Sequence, residues 1–427
     1  MDKRTEALMA YLDKAHSVFH AVAGLVEELK AQGYEALQER DEWNLVPGGK
    51  YYLTRGGSAV MAFRVPRGTA QGFLLSASHA DRPTFKMKEN GELKGAYTRL
   101  AVERYGGMLI APWLDRPLSL AGRVMVETEN GIVSLLVDLD QDLMMIPNVA
   151  IHMNRQANEG YKWNPAVDTL PLLGGKETAG KLNALLEEAA GGKILGHDMT
   201  LYVRQKATVW GVAQEYISAQ ALDDLECAWC CTQGFLAGAE SESIPVLCVF
   251  DSEEVGSSSL QGAASNLLES LLQRICCSLG LSYHRMLAQS FMVSADNAHA
   301  LHPNHPELAD SANAPVMGGG VVIKYNANQR YTTDGVSAAL FRKVCAKANV
   351  KVQTYCNRAD IAGGSTLGNI SLGHVSVPSV DIGLPQLAMH SCYETAAVAD
   401  AIALEEAMAA FYSATLQHSA DGVFELN

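Results

Sequence analysis

No stretch of about 18 apolar residues occurs in this 427-residue chain, which excludes a membrane-spanning helix. The opening segment, MDKRTEALMAYLDKAHSVFHAVAGLVEELK, alternates apolar and charged residues. It has no unbroken apolar core followed by a small-residue cleavage site, so no signal peptide is expected. Basic tracts are also absent. With 33 Lys and Arg against 47 Asp and Glu, the net charge is −14, and such a chain repels the phosphates of nucleic acid and anionic membranes. Charged residues are scarce at 19%, against roughly 25% in an ordinary soluble protein, and the 48% hydrophobic content supplies a large core. That excludes a disordered or fibrous chain. Repeats and low-complexity linkers are missing too.

Several chemistries lack their motifs. H-E-x-x-H is absent, which excludes a helical single-zinc protease. Neither G-x-x-x-x-G-K-[ST] nor G-x-G-x-x-G occurs, so nucleotide sites have no anchor, and G-x-S-x-G is absent as well. Nine cysteines include the cluster Cys227, Cys230 and Cys231 and the adjacent Cys276 and Cys277. No second pair follows at zinc-finger spacing, so they read as buried free thiols of a reducing compartment, which points to the cytoplasm.

At roughly 100–200 residues per domain, two or three domains are expected. Residues 6–32 read as one amphipathic helix ending at Gly33. KYYLTRGGSAVMAFRV reads as a hairpin around Gly-Gly. Residues 89–214 carry short alternating runs, including a hairpin around Asn130-Gly131 in GRVMVETENGIVSLLVDL. Beyond about residue 215, helix-like segments (ALDDLECAWCCTQGFLAGAE, SNLLESLLQRICCSLGL, GVSAALFRKVCAKA) alternate with strand-like runs (IPVLCVF, SFMVSA, GGVVIKYN, SVDIGL), and TAAVADAIALEEAMAAFYSATL closes as a helix. That alternation gives an α/β fold with a mostly parallel sheet flanked by helices. One α/β domain, residues 1–88 and 215–427, is thus expected to carry a β-rich insertion, residues 89–214.

The chemistry gathers where these runs end. GFLLSAS ends in His79-Ala80-Asp81, and EYISAQAL leads to Asp223-Asp224. IPVLCVF ends in Asp251-Ser252-Glu253-Glu254, SFMVSA in Asp296 with His299 beyond, and SVDIGLPQLAM in His390. Ligand sites of open α/β sheets lie at the carboxyl ends of strands, and His with carboxylates suits a divalent metal. Glu253-Glu254 is either a solvated acidic turn or a pair in which one carboxylate ligates while its neighbour serves as general base. Asp81, two residues beyond His79 in an extended segment, can accept from the imidazole nitrogen that does not ligate. GGSTLG (363–368) reads either as an anion cradle or as a turn before a helix. His284, His302, His305, His374 and His418 are bystanders.

Taken together, RDEWNLVPGGKYYLTRGGSAVMAF, YGGMLIAPWLDRPLSLAGRV, IPNVAIHMNRQANEGYKWNPAVDTLPLL, FDSEEVGSSSLQGAAS, SADNAHALHPNHPE, VIKYNANQRYTTDGVSAALF and VDIGLPQLAMHSCYE resemble the M18 metallopeptidases, the aspartyl aminopeptidases, and most closely their bacterial members. The resemblance runs nearly end to end. It implies a zinc-peptidase fold whose β-rich insertion makes dimers and then a twelve-subunit shell. It also implies a two-zinc site, with Mn2+ or Co2+ as alternatives. His79, Asp223 and Asp296 would hold one metal. Asp223 would bridge to a second, held also by Glu254 and His390. Asp81 would orient His79. Glu253 would take the proton from the bridging water and pass it to the leaving amine. Lys324, with His299 beside it, would favour acidic N-terminal residues, and His152 would reach into a neighbouring subunit's site.

Three departures stand out. The family pattern H-T-D-S-P is here His79-Ala80-Asp81-Arg82-Pro83, and the added cation at Arg82 is expected to change metal affinity or pocket charge. L-D-N is here Leu222-Asp223-Asp224, so either Asp could bridge, with alignment favouring Asp223. AHSVFHAV replaces a Ser-Pro-rich segment, which bears on capping. The expected activity is removal of N-terminal Asp or Glu from peptides. The alternatives are an aminopeptidase with neutral preference, or a non-catalytic assembly protein. The complete ligand set argues against the latter.

Overall fold

The computed structural model describes residues 2–364 and 366–427. The two seven-residue runs Phe73–His79 and Ile244–Phe250 form adjacent parallel strands with every residue buried. A strand covered on both faces reads as a near-continuous apolar run. The pleat still sorts side chains, since Phe73, Leu75 and Ala77 join one core while Leu74 joins another. Phe291–Ala295 pairs parallel with Phe73–His79, and Ser379–Gly383 pairs parallel with Phe291–Ala295. The full sheet has nine strands, in the order Glu35–Ala36, Lys50–Arg55, Ala59–Arg64, Ile244–Phe250, Phe73–His79, Phe291–Ala295, Ser379–Gly383, Val321–Tyr325, Val352–Cys356. Five of its pairings are parallel and three antiparallel. Helices Val18–Ala31, Leu222–Ala237, Gly335–Lys347 and Val398–Tyr412 cover one face, and Leu267–Leu279 covers the other. This is the expected α/β class.

The segment expected as one helix over 6–32 is two, Lys3–Leu12 and Val18–Ala31. Ser17 caps the second, its side chain accepting from the His20 N–H. The apolar spacing continues across the break, so only the cap residue marks it.

Between Thr84 and Val203 the chain forms a six-stranded antiparallel sheet, in the order Gly131–Asp138, Leu118–Thr128, Ile194–Val203, Thr84–Leu93, Tyr97–Tyr105, Leu172–Gly175. It has its own core, including Phe85, Leu120, Ile146 and Leu201. The expected hairpin is present, with Thr128 opposite Gly131. Its edge strand exposes Ile132, Val133, Leu135 and Leu136. All nine cysteines are unpaired; Cys277 is exposed, Cys356 half-buried and the rest buried. Among the described residues no helix is long and apolar enough to cross a membrane.

Helices Leu222–Ala237 and Val398–Tyr412 meet backbone to backbone at Gly234. A Cβ placed there would lie 2.5 Å from the Met408 Cβ and 2.9 Å from the Ala409 N. Alanine normally stabilises a helix interior over glycine by ~1 kcal/mol, but overpacking a closed contact costs ~1–3 kcal/mol. Gly234→Ala is therefore expected to lower the melting temperature by a few degrees. A raised melting temperature would mean that these helices are not in such close contact.

Candidate metal centre

Four parallel neighbours in the sheet, Ile244–Phe250, Phe73–His79, Phe291–Ala295 and Ser379–Gly383, end on the same side. His79 is the last residue of its strand and Asp296 follows directly on another. Glu253 and Glu254 sit on the short 3-10 turn Glu253–Val255 after Phe250. His390 lies on the loop after Gly383, and Asp223 opens the Leu222–Ala237 helix. Apolar runs that stop abruptly at charged residues thus deliver those residues to one crevice.

Asp223 is the hub. One carboxylate oxygen, Oδ1, lies 3.5 Å from His79 Nε2, and the other, Oδ2, lies 3.3 Å from His390 Nε2. Glu254 Oε2 is 3.4 Å from the same His390 nitrogen, and Glu253 Oε2 is 3.9 Å from His79 Nε2. Ligand-capable atoms of His79, Asp223 and Glu254 fall within 4.8 Å of one another, and so do those of Asp223, Asp224 and Asp296. Of the two adjacent aspartates, Asp223 faces both imidazoles, whereas Asp224 Oδ2 accepts the His79 backbone N–H. Burial opposes charge on Asp223, yet its contacts with His390 and His79 hold it below the usual carboxylate range. Glu254 moves the other way, raised well above its ordinary value by burial and then by the Asp223 charge. Burial also pushes Glu253 up to about 8, with Asp296 and Asp223 adding to the effect.

Two further carboxylates brace this cluster. Asp81 Oδ1 lies 3.3 Å from His79 Nδ1. The Asp81 carboxylate also accepts the backbone N–H groups of Glu253 at 3.0 Å and Glu254 at 3.1 Å, and the Tyr105 hydroxyl at 2.6 Å. Glu394 accepts the backbone N–H of Asp223 at 2.9 Å and of His390 at 2.7 Å. Neither Glu394 nor Tyr105 is marked in the sequence as a site residue. Glu394 closes the MHSCYE run, four residues past His390, and that proximity was the available signal. Tyr105 has none. The backbone around the cluster is strained: Ala221, Ser252 and His390 all have left-handed φ, at 54°, 65° and 66°. Each such residue costs ~1 kcal/mol or more and persists only where its surroundings hold it.

The crevice opens into a cavity of about 200 Å3, lined by Asp223, Glu253, Glu254, Asp296, Lys324, His299 and His390 among others. Lys324 is buried, and its ammonium donates to the Asp296 carbonyl at 2.7 Å while lying 3.8 Å from the Asp296 carboxylate. His299 also lines a neighbouring cavity of about 310 Å3 that holds His302 and His305. His152 is on an exposed loop and is not brought to the cluster within one chain. The added cation, Arg82, turns away from the crevice. Its guanidinium donates to the carbonyls of Ala15 at 2.9 Å and His16 at 2.6 Å, so it pins the link between the first two helices and does not line the cavity. The anion-cradle reading of 363–368 includes Ser365, outside the described residues. Thr366 after it precedes the short helix Leu367–Ser371 and donates to Asp381.

The cluster fits divalent metal. Asp223 Oδ1, Asp224 Oδ1 and Glu254 Oε1 are buried oxygens without a hydrogen-bond partner, an arrangement costly in a protein interior unless a cation satisfies it. Facing ligand atoms 3.3–3.5 Å apart match the edge of a tetrahedron whose metal–ligand bonds are ~2.0–2.1 Å. The imidazole-and-carboxylate donor set is the kind zinc takes.

Comparison with known proteins agrees with this geometry. Residues 11–412 match the family model described as aminopeptidase I zinc metalloprotease (M18). A protein of Clostridium novyi (strain NT) named "Probable M18 family aminopeptidase 2" is 41% identical over 414 residues, covering 93% of this chain and 96% of that protein. The cryo-EM structure of the Ape4 and Nbr1 complex superposes with a TM-score of 0.92 at 32% identity, covering 96% of this chain and 85% of that one. The S. cerevisiae mApe1 dodecamer gives 0.85 at 25% identity, covering 96% of each. The chain belongs to the M18 family of zinc metallo-aminopeptidases.

Proposed function

We propose that this enzyme removes N-terminal residues, preferably Asp or Glu, from peptides with the help of two divalent metal ions. The observation that supports it most is the placement of the two Asp223 oxygens against two different imidazoles, 3.5 and 3.3 Å away. His79, Asp223 and Asp296 would hold one ion, and Asp223, Glu254 and His390 the other. Zinc is the family's metal, and Mn2+ or Co2+ suit the same donors. When bound, the pair would polarise the scissile carbonyl, acidify the attacking water and receive the free amine of the substrate.

The chain's own residues do the rest. Asp81 holds the His79 ring so that Nε2 faces Asp223. Glu253, whose carboxyl is pushed up to about 8 where no cation offsets its burial, takes a proton from the water and returns it to the departing amine. Lys324 and His299 contact the substrate's first side chain. One observation favours the second reading, a preference for neutral residues: the Lys324 ammonium already serves the Asp296 carbonyl and carboxylate, leaving less charge for a substrate.

Residues 89–214 form the dimerisation domain in this proposal, with residues 1–88 and 215–427 as the catalytic domain. The apolar edge strand Gly131–Asp138 supports self-association. Twelve copies, as in the mApe1 dodecamer, would bring His152 of one copy to the site of another. The unpaired cysteines are consistent with a cytoplasmic location.

Glu253→Gln is expected to lower kcat by ~100-fold or more, the range for a lost general base, while metal content measured by elemental analysis stays near two per chain. Wild-type turnover in that variant would remove Glu253 from its role. In a panel of aspartyl, glutamyl and leucyl p-nitroanilides the acidic substrates should be cleaved fastest, and Lys324→Ala should lose activity mainly on those. A leucyl rate far above both acidic ones establishes the neutral preference instead. Dialysis against a chelator should abolish hydrolysis, and added Zn2+, Mn2+ or Co2+ should restore it. Activity that survives complete metal removal would overturn the metal mechanism.

A further inference from the structure

A short segment, residues 105–109, which follows directly on the Tyr97–Tyr105 strand of the six-stranded sheet, lies against the metal centre. Three contacts converge there. The Tyr105 hydroxyl donates to Asp81 Oδ2 at 2.6 Å, on the same carboxylate that receives the backbone of Glu253 and Glu254. Gly106, with φ at +74°, lies so close to Glu254 that a Cβ built there would be 3.1 Å from the Glu254 Cβ and 3.4 Å from the Pro83 Cα. Gly107 lies against the His390 ring, a Cβ built on it falling 3.8 Å from Nδ1, and the Leu109 N–H donates to the His390 carbonyl at 3.0 Å. His390 Nε2 faces Asp223 and Glu254, so the edge of the ring that carries Nδ1 is the one turned to this segment.

We propose that this segment is a clamp through which the inserted sheet positions the metal ligands, with Tyr105 as its positioning residue. The Asp81 carboxylate accepts from two backbone N–H groups and the Tyr105 hydroxyl, while His79 Nδ1 bonds the Asp81 carbonyl at 3.1 Å and lies 3.3 Å from Oδ1. The two backbone groups cannot be mutated away. The hydroxyl is the one donor that comes from the inserted sheet, and removing it leaves Oδ2 with the Glu254 N–H alone. The carboxylate that joins His79 to the Glu253-Glu254 turn is then held less tightly. The clamp builds on the aminopeptidase reading for its effect on turnover, but its effect on metal affinity does not require that reading.

The test is Tyr105→Phe in the full-length protein, which keeps the ring and deletes one oxygen. Outer partners of metal ligands typically contribute ~10–100-fold in affinity or activity. Zinc affinity, measured by competition with a chromogenic chelator, should weaken by ~10-fold or more. The melting temperature of the zinc-free protein should not change, and on peptides kcat should fall with KM little altered. Gly106→Ala, which presses a methyl group toward Glu254, should weaken zinc in the same direction. Tyr97→Phe, at the exposed far end of the same strand, should alter neither quantity. Wild-type zinc affinity in both Tyr105→Phe and Gly106→Ala overturns the clamp. A wild-type protein that cleaves no peptide would overturn the aminopeptidase reading while the zinc titration still decides the clamp.

Discussion

Seven carboxylates, those of Asp81, Asp223, Asp224, Glu253, Glu254, Asp296 and Glu394, crowd the carboxyl ends of parallel strands. The basic groups among them are the His79 and His390 imidazoles and the Lys324 ammonium, with the buried Arg82 guanidinium acting on Glu394. Taking a carboxylate out of water costs several kcal/mol per ion even after relaxation, so the cluster is affordable only if extra positive charge enters it. The same constraint explains why several of these acids are pushed toward their neutral forms and why some buried oxygens lack partners. A fold that preserves such a site has left its stabilisation to something that binds.

The carboxylates divide their work accordingly. Asp223, Glu254 and Asp296 turn toward the crevice, while Asp81 and Glu394 spend their oxygens on backbone N–H groups. Glu394 ties together two chain segments more than 160 residues apart, since Asp223 and His390 both donate to it. It therefore does with hydrogen bonds what the metal would do with coordination bonds, and does so before metal arrives. That preorganisation offsets the left-handed backbone of His390 and Ala221.

How much of this was legible in the sequence follows from the physics of each element. Strand ends were readable because IPVLCVF and GFLLSAS stop sharply at polar residues, and a doubly covered strand has no other way to appear. The segments that form the cluster came with them, since each follows a strand or opens a helix. Tyr105 and Glu394 were not readable as site residues, because their roles depend on which loop folds over which strand end. Arg82 is placed otherwise than its neighbours in sequence suggest. A cation next to Asp81 in sequence suggested an effect on the metals, yet at successive positions of an extended segment side chains point in opposite directions, and its guanidinium binds the carbonyls of Ala15 and His16. The break near Ser17 escaped the helical periodicity for a related reason: a cap interrupts the backbone without interrupting the apolar stripe.

Arg82 also shows how closely the inserted sheet is joined to the centre. The carbonyl it holds at His16 belongs to a residue whose ring stacks on Tyr202 at 3.9 Å and bonds Asp138 at 2.7 Å, and both of those residues lie in the six-stranded sheet. Tyr202 donates to the same Asp138. The sheet thus reaches the His79-Asp81 segment by two routes, through Tyr105 directly and through Asp138, His16 and Arg82. Asp138 ends the very strand whose apolar residues are exposed to solvent. An exposed apolar edge of that kind is a template for pairing with another chain. The inserted sheet is therefore joined by hydrogen bonds to the segment that carries His79 and Asp81.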